Sequence, residues 1–318
     1  MALILGLLLQ GVQMALVLLL APLLVAFVRK AKARLQRRRG PSLVQPYRDL
    51  LRLLRKEAVL AENASWLFRV TPYLVFAAIW VAAALVPTYA AGLPFGGAAD
   101  LIVITGLLAS ARFFTALAGL DVGTSFGGIG SSRDMMIASL AEPAMLMLVF
   151  AISLLVGTTS LSSIAVHILT EEIGLRVSLG LALVGLVIVA IAETGRIPVD
   201  NPATHLELTM VHEAMLLEYS GRHLALIELA AATKLLLFLS LIGAIFVPWG
   251  LAVPGSGPGA LLLGLAAYLG KLAVGGALLA VLETAIAKMR VFRVTEFLGA
   301  ALLLGLLATL LRFVSGGL

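Results

Sequence analysis

The 318-residue chain is 61% hydrophobic and only 13% charged, a balance far from that of soluble proteins. Its aliphatic runs of about 20 residues can each cross about 30 Å of hydrocarbon as a helix, and they are continuously apolar, which excludes a β-barrel. With no cysteine, thiolate-held iron–sulfur clusters and cysteine nucleophiles are excluded. The net charge is +6, but the basic residues cluster beside the apolar runs, so no nucleic-acid partner is expected.

The pattern predicts an all-α, polytopic membrane protein that forms a single transmembrane domain over 1–318. About eight transmembrane helices are expected, with ends uncertain by a few residues. The first 28 residues carry no charge before Arg29, which favours a retained helix over a signal peptide. The predicted spans are 3–28, 70–90, 99–120, 135–157, 176–195, 224–249, 258–283 and 295–314.

Basic residues indicate the orientation of the spans. The loops 29–69, 121–134, 196–223 and 284–294 fall on one side and hold 18 of the 23 Lys and Arg residues. The positive-inside rule places this side in the cytoplasm, with both termini outside.

The 29–69 loop is more than a linker. Its first basic residues continue the first helix, and Gly40 and Pro41 break it. Between Tyr47 and Glu57, leucines fall on one side and basic residues largely on the other, which predicts an amphipathic helix along the cytoplasmic interface. Such a helix can dock on lipid headgroups, serve as a platform for a soluble partner, or do both.

Ionisable residues occur within or at the edges of the spans. A charge at bilayer depth costs about 3 kcal/mol on translocon scales and is usually kept for ion or proton handling. Arg112 by itself is weak support for an ion-handling site, because an arginine side chain can snorkel to the membrane interface. The candidates for a proton relay are Glu142, Glu193, Glu228, Glu283, Lys234 and Lys271.

The 196–223 loop is unusually acidic for a cytoplasmic loop and keeps many large apolar residues, so we expect it to be folded and partly buried. Burial can raise the pKa of a carboxylate toward neutral pH, where histidine also titrates, so both kinds of group suit proton transfer. The candidate coupling residues are Asp200, His205, Glu207, His212, Glu213 and Glu218. A metal site is the competing interpretation of the histidines, although no zincin spacing is present. A purely structural hydrogen-bonding role is the third.

The predicted topology places the four glutamates in the cytoplasmic half and Lys234 and Lys271 near the midplane. The outer half holds almost no titratable side chain. We therefore predict a route that enters from the cytoplasm and passes protons, or their charge, sideways into a neighbouring membrane subunit.

Three ordered motifs add a family resemblance. They are Arg39-Gly40-Pro41 with Gln45-Pro46-Tyr47-x-Asp49, then Phe126–Arg133 followed by Glu142, then Ala192-Glu193-Thr194-x-Arg196-x-Pro198-x-Asp200 with Glu218–Gly221. In sequence and order they resemble the quinone-site membrane subunit of respiratory complex I, of the subunit 1 or H type. Within that superfamily, residues 201–213 (NPATHLELTMVHE) are similar to the C-type subunit of the hydrogenase-4 and formate hydrogenlyase branch.

The resemblance implies a non-catalytic, eight-helix subunit in a bacterial or archaeal cytoplasmic (inner) membrane. It would link antiporter-like membrane subunits to a peripheral arm of nickel–iron hydrogenase large and small subunits and an iron–sulfur protein, while binding no cofactor itself. It also implies a carboxylate chain through Glu142, Glu193, Glu213, Glu218 and Glu228. Residues implied for a cavity or docking face are Arg39, Asp49, Arg133 and Arg196.

Two other functions remain open. The chain could be the quinone-binding H-type subunit of an NADH or ferredoxin:quinone oxidoreductase, although the acidic Glu-Gly-Glu-Ser-Glu type of stretch found in complex I is absent here. A stand-alone ion-coupled transporter is disfavoured by the dry outer half and by the lack of a visible repeat.

Overall fold

A computed structural model describes residues 2–170, 177–200, 210–253, 255–289 and 293–316. Within these residues the chain forms eleven α-helices and one 3₁₀ turn, Pro94–Gly97. The helices are α1 (Ala2–Leu35), α2 (Gln45–Leu54), α3 (Trp66–Leu85), α4 (Leu101–Asp121), α5 (Ser125–Val156), α6 (Leu161–Thr170), α7 (Val177–Glu193), α8 (His212–Leu216), α9 (Gly221–Phe246), α10 (Pro258–Ala285) and α11 (Arg293–Gly316).

The predicted fold class, an all-α polytopic membrane protein, is confirmed. Seven of the described helices are long and apolar enough to cross a membrane. The remaining predicted span, 176–195, corresponds to α7, whose 17 described residues measure about 26 Å and fall at the short end of the range for spanning helices. The predicted amphipathic helix is α2, which packs on α1 and α9.

Helix α5 begins ten residues before the predicted span, inside a stretch that the sequence pattern assigns to a loop. Thr124 caps it by accepting a hydrogen bond from Gly127 N at 3.2 Å. Gly127 also lies where a Cβ would be 2.2 Å from the carbonyl oxygen of Gly119 on α4. Tertiary contact with α4 therefore favours helix in a glycine-rich stretch whose local propensity is low.

The helices pack as one bundle around a continuous aliphatic core. Helix α9 contacts α1, α3 and α7, and α5 contacts α4, α7 and α11. The C-terminal end of α1 and the N-terminal end of α3 lie at one end of the bundle with α2, which we call the α2 end. The opposite end, the α6 end, holds the connections from α3 to α4 and from α9 to α10.

The two ends are closed differently. At the α6 end, Ala90 pairs with Ala252 and Asp100 with Ser160 in isolated β-bridges. At the α2 end, the described parts of the 196–223 loop fold back into the bundle, with Val199, Val211 and Met215 buried. Tyr219 anchors this return by stacking on Phe68 at 3.9 Å and donating to the Phe68 carbonyl at 3.0 Å. The expectation of a folded, partly buried loop is confirmed for these residues.

Candidate functional site

Glu193, the last residue of α7, lies between two cations from other helices. Its Oε1 is 2.7 Å from Arg112 Nη1 on α4, and its Oε2 is 2.6 Å from Lys234 Nζ on α9. The Glu193 and Arg112 side chains are only 8% and 5% exposed. Because buried charges are costly unless paired, these contacts allow three ionised groups to remain within the bundle.

Asp134 on α5 completes this group. Its Oδ2 is 3.4 Å from Arg112 Nε, so two cations face two carboxylates and their formal charges cancel. We call Arg112, Asp134, Glu193 and Lys234 the charge cluster. Glu142, two turns further along α5, interacts electrostatically with all four members and is partly buried.

The charge cluster borders a cavity of about 80 Å³, which we call the small cavity. Water occupies about 30 Å³ per molecule in the liquid, so at least two waters fit. Thr194, Asp200 and His212 also face this space. The wall is largely apolar, but its charged and polar groups can bind water in a cavity of this size, and such water can link the carboxylates.

A second set of ion pairs joins the segment after α7 to Glu283 of α10 and to Lys288, and joins Glu283 to α1. Glu283 is buried and lies 2.5 Å from Lys32 Nζ and 3.2 Å from Arg196 Nη1. Asp200 Oδ1 is 2.8 Å from Lys288 Nζ. Burial lowers the pKa of the Arg196 guanidinium, against the opposing attraction of Glu283. The Arg196 and Asp200 pairs fasten the 194–200 segment to the bundle.

A larger cavity of about 650 Å³ lies between α1, α2, the 194–200 segment, α8, α9 and α10; we call it the large cavity. Glu228 is exposed in the isolated chain and lines this space. It interacts electrostatically with Arg29, Glu213, Asp49 and Arg52, all of which line the same cavity. Glu228 is therefore accessible where Glu193 is enclosed.

His212 lies in the wall between the two cavities and faces both. Burial lowers the pKa of its imidazole, and Lys234 acts in the same direction, whereas Asp134, Glu213 and Asp200 favour the cation. The other residues shared by both walls are Thr194, Gly195, Asp200, Ile227 and Ala231.

The predicted docking residues have different surroundings. Arg39 is exposed. Asp49 lines the large cavity and accepts from Gln45 Nε2 at 3.1 Å. Arg133 donates to the Met210 carbonyl at 2.9 Å, so it holds the returning loop against α5. Their roles stay predictions.

Several predicted residues are not joined to the two cavities. Among the described residues, no ion pair or hydrogen bond of Lys271 connects it to the charge cluster. Glu218 is exposed. His205 and Glu207 lie outside the described residues. They are one of the two ligand pairs on which the competing metal interpretation rests, the other being His212 and Glu213. In the described ranges no group of three or more His, Cys, Asp or Glu residues could hold a metal ion.

Sequence reasoning misses part of the charge cluster. The hydropathy pattern places Asp134 in a loop, and the ability of Arg112 to snorkel weakens its signal. One signal was available: Arg112 and Lys234 lie within apolar spans, and each requires a carboxylate from another helix. Sequence patterns also give no indication that Lys32 on α1 pairs with Glu283 on α10.

The chain is similar to known membrane subunits over most of its length. The family described as NADH dehydrogenase matches residues 9–314. Formate hydrogenlyase subunit 4 of Escherichia coli (strain K12) is 35% identical over 270 residues, 85% of this chain and 87% of the relative. Hydrogenase-4 component C of the same organism is 34% identical over 240 residues, 76% of this chain and 75% of the relative.

A solved structure shares the same fold. A chain in the structure of the membrane-bound sulfane sulfur reductase, an archaeal respiratory membrane complex, superposes with a TM-score of 0.81 at 19% identity. That match covers 98% of this chain and 100% of the other. The whole bundle, and not one part of it, is therefore common to the two proteins.

Proposed function

The chain belongs to the NADH dehydrogenase subunit 1/H family, and we propose that it is the membrane anchor and proton-conducting coupling subunit of a complex I-related nickel–iron hydrogenase. The similarity to formate hydrogenlyase subunit 4 and hydrogenase-4 component C supports this branch. In this role it would join peripheral hydrogenase large and small subunits and an iron–sulfur protein to antiporter-like membrane subunits. The partners would perform the redox chemistry, and this chain would bind no cofactor.

One observation carries the coupling role: a common wall separates an accessible carboxylate site from an enclosed, charge-balanced one. Protons would enter the large cavity at Glu228 and Glu213 and reach His212, Asp200 and the charge cluster. An imidazole can accept a proton on one nitrogen and release one from the other. His212, facing both cavities, is suited to that exchange.

The charge cluster would convert proton movement into an electrostatic signal. Its two cations and two carboxylates balance only while both acids are ionised. Protonating Glu193 would leave Arg112 and Lys234 with one carboxylate, and such an imbalance is strongly felt at low dielectric. Glu142 would receive the signal next, because it interacts with all four members.

We propose three roles for these residues: proton relay, coupling of the loop to the relay, and docking. Glu142, Glu193, Glu228, Glu283 and Lys234 would form the relay. Asp200, His212 and Glu213 would couple the loop to it, together with His205, Glu207 and Glu218. For docking of the peripheral arm we propose Arg39, Asp49, Arg133 and Arg196, with α2 as the platform. The cytoplasmic location of the α2 end, with both termini outside, belongs to the same proposal.

Replacement of Glu142 or Glu228 by Gln tests the relay, because the amide keeps the shape of the side chain and loses its proton exchange. The complex would be reconstituted in liposomes with a trapped pH dye. We expect lower proton movement per electron transferred, with assembly and viologen-driven hydrogen evolution retained. Glu62→Gln is a matched control on an exposed residue. Unchanged proton pumping in both variants would contradict the proposed relay.

The identity of the complex has a separate test. Affinity purification of the tagged chain in mild detergent, followed by mass spectrometry, should recover a hydrogenase large subunit with four nickel-site cysteines. The same preparation should evolve hydrogen from reduced methyl viologen. Recovery of a complex without that subunit, and without this activity, would assign the chain to another branch of the family.

One observation favours a second candidate, the quinone-binding subunit of an oxidoreductase. The large cavity of about 650 Å³ lies within the range of cofactor-sized sites, and Leu50, Leu53 and Leu235 give it apolar walls. Quinone extracted from the purified complex, and lost on substitution of Ala232 by Phe in the wall, would support this candidate. Absence of quinone at full activity would leave the hydrogenase proposal in place.

A further inference from the structure

Lys271 is an ionisable residue at the middle of a peripheral helix. It is the fourteenth of the 28 residues of α10. One side of α10 packs against α1 and α9 through Tyr268, Leu272 and Gly276. The other side is open, with Val274 and Leu278 61% and 65% exposed. Lys271 is partly buried at the border between these two sides.

The position leaves Lys271 far from water. If α10 is centred in the bilayer, about 15 Å of hydrocarbon lies on either side of it. That is beyond the reach of one lysine side chain, so snorkelling cannot place the ammonium at the interface. The side chain instead runs along α9, where a Cβ on Gly243 would lie 3.7 Å from Lys271 Cδ.

In the described part of the chain, Lys271 forms no ion pair or hydrogen bond. Glu283, on the same helix, is twelve residues away, which is about 18 Å along the axis, and it is already paired with Lys32 and Arg196. Lys234, by contrast, has Glu193 at 2.6 Å. Charged residues within membrane spans almost always pair with another group.

We propose that Lys271 is the contact point for a transmembrane helix of a partner subunit that carries an aspartate or glutamate at the same depth. Ala267 and Gly275, four residues before and after it on the same face, are small and only partly buried, which permits close approach of a second helix. The proposal concerns assembly, and it stands whether or not the charge cluster conducts protons.

Charge selects this occupant over the alternatives. A lipid phosphate would lie about 15 Å away, at the headgroup level. A second copy of this chain packed symmetrically on the same face would bring two lysines together, which costs free energy at low dielectric. A carboxylate neutralises the ammonium and gains a charge-assisted hydrogen bond.

Site-specific photo-crosslinking tests the neighbour directly. A photoreactive phenylalanine analogue would replace Val274 in the intact purified complex, with Leu303, exposed on α11, as the control site. We expect the Val274 adduct, identified by mass spectrometry, on a transmembrane segment of another subunit with an acid within about one turn of the linked residue. Adducts only with lipid, with this chain, or with a segment lacking an acid would overturn the proposal.

Substitutions provide the second test. Lys271→Met leaves the partner's carboxylate buried and unpaired, so we expect the yield of intact complex to fall at least about tenfold. Lys271→Arg should keep most of the yield, and Leu278→Met is the control on the same face. The melting temperature and abundance of the chain expressed without partners should not change. Wild-type yield from Lys271→Met would overturn the proposal.

Discussion

The two ends of the bundle bury different kinds of polar group. At the α2 end the described buried groups include Arg112, Asp134, Asp200 and Glu283, each with an ion pair. At the α6 end they are neutral: Gln10 and Gln13 donate to the Ala84 carbonyl at 3.1 and 2.8 Å. Ion pairs can gain and lose protons, whereas amides cannot. The α2 end therefore buries groups that can change their protonation state, whereas the amides buried at the α6 end cannot.

This difference also limits the direction of any proton route. The proposed path from the α2 end would reach the charge cluster and Glu142, whereas the α6 end offers amides and hydroxyls in its described core. Tyr268, hydrogen-bonded to Ser240 at 2.8 Å, is the kind of group that replaces the ion pairs there. In the proposed function, charge that reaches the cluster would therefore leave sideways, toward a neighbouring subunit.

Of the substitutions considered, Arg112→Met should destabilise the bundle most. It leaves Glu193 with one cation and Asp134 with none in the cluster, and the loss of one partner of a buried ion pair costs about 3–5 kcal/mol. The melting temperature in detergent, from fluorescence-detected size exclusion after heating, should fall strongly. The matched control is Arg38→Met at an exposed residue. Equal melting temperatures would show that the cluster does not stabilise the bundle.

Glu193→Gln and Asp134→Asn sharpen the order within the cluster. Glu193 contacts two cations at 2.7 and 2.6 Å, whereas Asp134 has one contact at 3.4 Å. We expect Glu193→Gln to cost about 2–3 kcal/mol and Asp134→Asn about 1 kcal/mol, because the first weakens two short hydrogen bonds between charged groups and the second only one long contact. The same heating assay measures both, and the reverse order would contradict the assigned pairing.

Tyr268→Phe tests the neutral end. It removes one hydrogen bond to Ser240 and keeps the ring in place, so the expected cost is about 1 kcal/mol. Tyr73→Phe is the control at a half-exposed tyrosine. A loss as large as that of Arg112→Met would mean that the two ends do not differ in the way described.

The smallest expected effect is the pH dependence that His212 contributes. Its folded pKa lies below the ordinary value because of burial, so the unfolded chain binds more protons. The stability that His212 adds is thus complete above about pH 6.5 and declines as the pH falls below it. His212→Asn should lose less melting temperature than wild type between about pH 7.5 and 5.5. Equal losses would show that His212 does not titrate this way.

Sequence determined the fold class and most of the helices. The predicted spans 258–283 and 295–314 end within two residues of α10 and α11, because long apolar runs have few alternatives in a membrane. The amphipathic pattern likewise located α2. The start of α5 was missed because Gly127 and Gly130 have low helix propensity, and only their close contacts with α4 and α8 show why helix forms there.

The candidate site followed a similar division. The hydropathy pattern alone identified Glu193, Glu283 and Lys234, since a charge within an apolar span is conspicuous in a sequence. It could not assign partners: Arg112 to Glu193 spans 81 positions and Arg196 to Glu283 spans 87. Which charges meet, and which face a cavity, depends on how the helices pack. Tertiary structure alone decided that Glu193 is enclosed and Glu228 accessible, because burial belongs to the packed bundle and not to any one helix.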